Sequence, residues 1–248
     1  MKFHKTGTYI PEGLLMTLEA RLDKVVGDMK RFFSAAVIPG HDGVIRFYLA
    51  GSCIKSDRYQ DIDMIFNSSE ERDRMVGILD KSYLLYINHS HSYRHERNIF
   101  QVVFFEKYRN QSLQDVVTLF DFSSTKIGFH CTLDLATLAF DIVETDVRKE
   151  FVDYLETGIN LLHTNPFKAN PFVSLQRAIN FLKRGDDVPY TVFLRICIAI
   201  SHLDVKSEGM IEKLAGGLIG EKGKLLELER EIAAYLHTQK DDNSESSG

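Results

Sequence analysis

An α+β fold, with a mixed-sheet head followed by a helical C-terminal domain, is what this sequence predicts, and three observations carry the prediction. Short runs rich in Val, Ile, Phe and Tyr, bounded by Gly, Ser, Asn and Asp, crowd residues 44–122. From about residue 147 onward apolar residues recur at helical spacing instead. The change of pattern falls near HTNPFKANP, residues 163–171, which holds two of only five prolines. Strands first and helices after is the ordering of an α+β chain or of two domains. The expected division is a head over residues 1–150, a helical domain over 151–238 and a polar, disordered tail over 239–248, with the boundary between 145 and 170.

In chain order, residues 13–36 set Leu14, Leu18, Leu22, Val25, Val26, Met29 and Phe33 on one helical face. VIRFYLAG, residues 44–51, reads as a strand ending at Gly51, SCIKSDRY as a short helix or turn, and DIDMIF, residues 61–66, as a second strand. SSEERDRMVGILDKS follows as a helix, with Ser68 or Ser69 as N-cap and acidic residues in its first turn. YLLYINH, NIFQVVFFEK and DVVTLFDF read as three further strands, the last two joined by YRNQSLQ as an antiparallel pair. CTLDLATLAFDI fits either helix or strand. VRKEFVDYLETGINLL, PFVSLQRAINFLKRG, YTVFLRICIAISHLD and EKGKLLELEREIAAYL read as helices, the last with an apolar stripe of Leu225, Leu226, Leu228, Ile232 and Leu236.

An apolar share of 44% and a charged share of 26% suit a globular chain with a real core. The net charge of −5 argues against a protein that coats nucleic acid electrostatically, although a local basic groove remains compatible with it. Three widely spaced cysteines, Cys53, Cys131 and Cys197, form no CxxC and read as reduced thiols of a cytoplasmic protein. No apolar run reaches membrane-spanning length, and the start MKFHKTGTYIPEG lacks a signal-peptide core.

The chemistry-bearing stretch is RFYLAGSCIKSDRYQDIDMIF, residues 46–66. Asp61 and Asp63 are two apart, so on a strand both point to one face. Carboxylates that close stay ionised together when cations sit between or above them. Asp121, in TLFDF, is a third carboxylate near the end of a predicted strand. Three such aspartates would suit Mg²⁺, which takes a few carboxylates plus substrate phosphates. A turn-capping role for Asp121 beside Ser123-Ser124 is the competing reading. Gly51-Ser52 at a strand end offers a close backbone approach and a hydroxyl for phosphate. Lys126 reads equally as a neutraliser of triphosphate charge and as a solvated loop lysine.

Gly51-Ser52, an eight-residue spacer (53–60), Asp61-Ile62-Asp63 and the later Phe-Asp121-Phe resemble the DNA polymerase β-type nucleotidyltransferase superfamily. The similarity is to the head domains of tRNA CCA-adding enzymes and bacterial poly(A) polymerases, and NPFVSLQRAINFLKRG, residues 170–185, is similar to the helical segment after those heads. The resemblance implies transfer of a nucleoside monophosphate from a nucleoside triphosphate to an acceptor hydroxyl, an RNA or tRNA 3′ end. It implies two Mg²⁺ ions on Asp61, Asp63 and Asp121, and contacts to the nucleotide from Gly51, Ser52 and Arg177; Lys55-Ser56 stands where CCA-type heads carry Arg-Asp, and Lys55 is a further phosphate candidate. The alternatives are nucleotidylation of a small molecule or protein, and a non-catalytic nucleotide-binding relative. In INHSHSYRHERN, residues 87–98, the His91-to-His95 spacing suits a metal only on a helix, so the His89–Arg97 segment reads as a surface or acceptor-contacting loop.

Overall fold

The computed structural model describes residues 8–59, 61–87, 90–167 and 170–203, which fall into two compact units divided between Thr164 and Asn165. The expected C-terminal helix and the polar tail lie outside the described residues, as does His89. The first unit is a seven-stranded mixed sheet with helices on both faces. In chain order it runs α1 (Glu12–Ala36), β1 (Val44–Ala50), β2 (Asp61–Phe66), α2 (Ser69–Ile78), β3 (Leu84–Ile87), β4 (Ser90–His95), β5 (Asn98–Phe104), α3 (Leu113–Thr118), β6 (Ile127–Asp134), β7 (Phe140–Val147) and α4 (Lys149–Thr157). The strand order is β3-β4-β5-β2-β1-β6-β7. Only the β2–β5 pairing is parallel; every other neighbouring pair is antiparallel.

Strand alternation divides the sheet into two faces. Ile45, Phe47, Leu49, Ile62, Met64, Phe66, Phe100 and Val102 point to one face and join the buried side of α1, which includes Leu18, Leu22, Val25, Met29, Phe32 and Phe33. Phe32 stacks on Phe100 with ring centroids 4.0 Å apart. Met75 and Ile78 of α2 close the same core. Its N-cap is Ser68, whose Oγ accepts from the Glu71 amide at 3.2 Å. On the opposite face Tyr48, Ala50, Ile65 and Val103 pack under α3 through Leu113, Val116, Val117 and Phe120.

Two expectations are corrected, and one left open is resolved. DVVTLF, read as a strand, lies mostly in the short helix α3: its Val-rich composition suits a strand, but Leu113, Val116, Val117 and Phe120 have helical spacing and Ser112 Oγ caps the Asp115 amide. Asp121 therefore lies not on a strand but on the connection from α3 to β6. SHSYRH, read as loop, is the strand β4; only Ser92 and Tyr93 are fully enclosed, so it lacks an apolar signature. CTLDLATLAFDI resolves into the β6–β7 hairpin.

After α4, Gly158 takes φ 75° and reverses the chain. Residues 160–163 then run back along 121–124: Phe122 pairs with Leu162, the Ser124 amide donates to Asn160 Oδ1 (3.0 Å), and Asn160 Nδ2 donates to Ser124 Oγ (2.8 Å). The described part of the second unit contains α5 (Pro171–Lys183), N-capped by Asn170, and α6 (Tyr190–Ser201), which pack on each other and bury Ala178, Phe181, Val192 and Ile196. Among the described residues no helix is long and apolar enough to cross a membrane.

Candidate active site

Asp61 and Asp63 occupy the first and third positions of β2, half-buried, on the face shared with Ile65 and Val103. The β1–β2 register pairs Tyr48 with Ile65 and Leu49 with Met64, so one step further sets Ala50 against Asp63. Immediately after Ala50, Gly51–Cys53 form a 3₁₀ turn that packs against β2. The contact is electrostatic as well as steric. Burial first, and then the negative charge of Asp63, pushes the Cys53 thiol far above its ordinary range. The structure thus brings the Gly51-Ser52 turn and the Asp-x-Asp strand together, as the sequence predicted.

Gly51 has a structural reason to be glycine. A Cβ there would stand 2.3 Å from Ile127 Cγ2, 2.5 Å from the Ile127 carbonyl oxygen and 2.9 Å from that of Thr125. The close approach it permits is to the protein's own chain. Through this contact the turn at 51–53 also touches the 3₁₀ turn Ser123–Thr125, two residues after Asp121.

Asp121 is buried, and its backbone carbonyl accepts from the His163 amide at 2.7 Å. Among the described residues no three His, Cys, Asp or Glu side chains gather as a metal-binding group. Asp61 and Asp63 share one face of β2, and with Asp121 they do not make up a three-member metal-binding group. Lys126, five residues on, is buried, and its Nζ donates to the carbonyls of Thr118 (2.7 Å) and Val117 (3.5 Å) at the end of α3. Burial pulls its pKa below the ordinary lysine value, while Glu150 and Asp121 oppose that shift. Its ammonium holds the end of α3 rather than facing solvent, which answers the choice between triphosphate neutraliser and solvated lysine with a third role. Lys55 places Nζ 5.9 Å from the centre of the Tyr154 ring, and its carbonyl accepts from Arg21. Arg177 lies on α5, in the second unit.

The loop between the Gly-Ser turn and β2 is held down by α1. Arg21 Nε bonds Asp57 Oδ1 (3.0 Å), Lys24 Nζ donates to the Asp57 carbonyl (2.6 Å), and Tyr59 Oη donates to Asp28. Asp28 is almost completely enclosed and also accepts from Asn98 Nδ2 at 2.8 Å and from Arg31. A cavity of about 420 Å³ lies between α1 and the β4–β5 turn, lined by Lys30, Arg31, Ser34, Ala35, His95 and Glu96, on the α1 side of the sheet. Its charges are balanced, Arg31 meeting both Asp28 and Glu96, so it offers little pull on an anion.

One further polar group stands beside the aspartates. Gln101 on β5 pairs in register with Asp63 and shares its face. A single glutamine inside NIFQVVF was the available signal, because a polar residue in an apolar strand marks a face that the core does not cover. Further along the same face, beneath α3, Tyr48 Oη donates to the Gln111 carbonyl (3.0 Å), and His130 Nδ1 lies 3.8 Å from Glu144 Oε2.

Neither a protein-family model nor a curated protein matches this sequence.

Proposed function

We propose that the protein is a Mg²⁺-dependent nucleotidyltransferase, passing a nucleoside monophosphate from a nucleoside triphosphate to an acceptor hydroxyl with release of pyrophosphate. The observation that carries this reading is the placement of two half-buried carboxylates, Asp61 and Asp63, on one face of β2 beside the Gly51-Ser52 turn. A pair of carboxylates completed by substrate phosphates is a donor set that Mg²⁺ accepts. When bound, the metal would supply charge stabilisation to the transferring phosphoryl group and orient it. Asp61 and Asp63 would hold the metal, and the Ser52 hydroxyl would donate to a phosphate oxygen. The 54–59 loop between these groups is anchored to α1, the kind of prior ordering on which phosphoryl transfer depends. The acceptor oxygen forms its bond to the α-phosphorus as the bond to the bridging oxygen breaks, and the hydroxyl proton passes to a carboxylate of this site. An RNA 3′ end is the acceptor that the sequence resemblance favours.

The test is incubation with Mg²⁺, each labelled nucleoside triphosphate and total RNA or small-molecule acceptors. Asp61→Ala and Asp63→Ala abolish labelling while melting within a few degrees of the wild type. Normal turnover by either variant would remove these carboxylates from the reaction. A second reading, nucleotide binding without transfer, draws on the finding that no three-member metal-binding group forms among the described residues. Saturable binding of Mg·ATP with no labelled product under all acceptors would favour it.

A further inference from the structure

β2 lies between β1 and β5. The reading above, on which the following rests, puts the triphosphate on the β1 side, at Ser52. In-line displacement sets the attacking oxygen opposite the departing pyrophosphate, so the acceptor has to arrive over β5 and β4. The registers show what waits there. Asp61 pairs with Ile99, which pairs with Arg94; Asp63 pairs with Gln101, which pairs with Ser92; Ile65 pairs with Val103, which pairs with Ser90. Residues directly opposed in a ladder share a face, so Arg94, Ser92, Ser90 and Gln101 lie on the face of the two aspartates. Ser90 Oγ reaches Gln101 Oε1 at 3.4 Å and Ser92 Oγ at 3.5 Å; Ser92 is itself fully enclosed, so Ser90, Gln101 and Arg94 are the members of this row that a ligand reaches.

The opposite face of these strands is closed by α1 and α2, whereas the residues that α3 covers on the aspartate face begin with Ile65 and Val103 and extend toward β6. Arg94 is exposed. Two strand spacings separate its backbone from that of Asp61, about 9.5 Å, a gap that a guanidinium and a group a few bonds from a reacting hydroxyl span together.

We infer that the polar row over β5 and β4 is the acceptor subsite, and that Arg94 selects an acceptor carrying a phosphate near its reacting hydroxyl. Guanidinium matches a phosphate bidentately. Gln101, next to Asp63, orients the hydroxyl through its side-chain amide. Both a nucleic-acid backbone and a small phosphorylated alcohol supply this chemistry.

Two probes separate these sources: a fluorescein-labelled ten-residue oligouridylate with a free 3′-hydroxyl, and glycerol 3-phosphate. Binding of each, and of Mg²⁺ with α,β-methylene-ATP, is measured for the wild type, Arg94→Ala, Arg94→Lys and Gln101→Ala. Arg94→Ala weakens at least one phosphate probe about tenfold or more, the loss of one charge-assisted contact, while the nucleotide analogue binds within about twofold of wild type; Arg94→Lys recovers part of the loss. Sensitivity of the oligonucleotide alone assigns the phosphate to nucleic acid, and sensitivity of glycerol 3-phosphate alone assigns it to a small acceptor. The inference is overturned if neither probe binds the wild type, if Arg94→Ala leaves both unchanged, or if it weakens the nucleotide analogue equally. Failure of the wild type to bind the analogue overturns the transferase reading itself and takes this one with it.

Discussion

Replacing Gly51 by alanine tests why glycine stands at the end of β1. Its backbone is not in the left-handed region, where four other glycines among the described residues lie, so no conformational demand explains it. The added methyl meets three atoms closer than 3.0 Å: Ile127 Cγ2 at 2.3 Å, Ile127 O at 2.5 Å and Thr125 O at 2.9 Å. The isoleucine methyl can rotate away. The two carbonyl oxygens move only if the start of β6 or the 123–125 turn moves with them, and that turn is pinned by Asn160 and Leu161. Overpacking a rigid site costs about 1–3 kcal/mol, and two immovable backbone atoms set the upper end, about 3 kcal/mol. For a unit of this size each kcal/mol shifts the melting temperature by about 2–4 °C, so Gly51→Ala melts about 6–12 °C below wild type. Gly77→Ala is the control: it is exposed on α2 with nothing within 4 Å of its Cβ, and it melts at or slightly above wild type. Differential scanning calorimetry with both variants reads the contrast. A Gly51→Ala protein melting within about 1 °C of wild type would refute the packing explanation.

Lys126→Met keeps the aliphatic stem but gives up both carbonyl contacts at the end of α3; a net loss of about 1.5 kcal/mol is expected by urea denaturation, since relief of the buried ammonium offsets part of it. Tyr59→Phe removes the hydroxyl that donates to Asp28, costs about 1.5 kcal/mol, and raises proteolytic nicking of the 54–59 loop over wild type. His130 is pulled below the ordinary histidine value, by burial first, with Glu144 opposing, Arg46 adding and Glu71 opposing. Because the folded-state pKa is the lower one, its contribution is fully present above about pH 6.5 and is lost as pH falls below that. A melting series from pH 7.5 to pH 5 therefore slopes more steeply for wild type than for His130→Gln, and parallel curves would exclude this histidine as a source of the slope.

The sequence made α1, β1, β2 and α2 legible because each couples a clear period to a clear stop: the apolar stripe of 14–33, the Gly51 end of β1, the Ser68 cap. The pairing of Gly51-Ser52 with Asp61 and Asp63 was legible for the same reason, since strand alternation alone puts both carboxylates on one face. Asp121 was not. The Val-rich composition of 115–120 favours a strand, whereas that stretch is capped at Ser112 and its last carbonyls accept from Lys126 as the end of a helix. Tertiary hydrogen bonds from residues 160–163, some forty positions away, then hold 121–124 in place. β4 was hidden for the opposite reason: SHSYRH sets polar Ser90, Ser92 and Arg94 on one face, with Ser92 enclosed all the same, and so carries no apolar alternation to read.

The open face also explains how two carboxylates fit in so apolar a strand. Along β2, Ile62, Met64 and Phe66 go to the α1 core, and Ile65 goes under α3. Asp61 and Asp63 take the remaining two positions, where the α3 cover has ended. Same-face neighbours on a strand are about 6.5–7 Å apart, and at an effective dielectric of about 20 two negative charges at that distance repel by about 2.4 kcal/mol, less with solvent screening. A merely structural strand avoids that cost with one serine or threonine. Two aspartates, with Gln101 beside them and the anchored loop before them, instead hold negative charge at one place on the sheet. If Asp61→Asn and Asp63→Asn each change Mg²⁺ affinity by less than about twofold in isothermal titration with a nonhydrolysable nucleoside triphosphate, where loss of a ligand costs about tenfold or more, then that concentration of charge has no cation to serve.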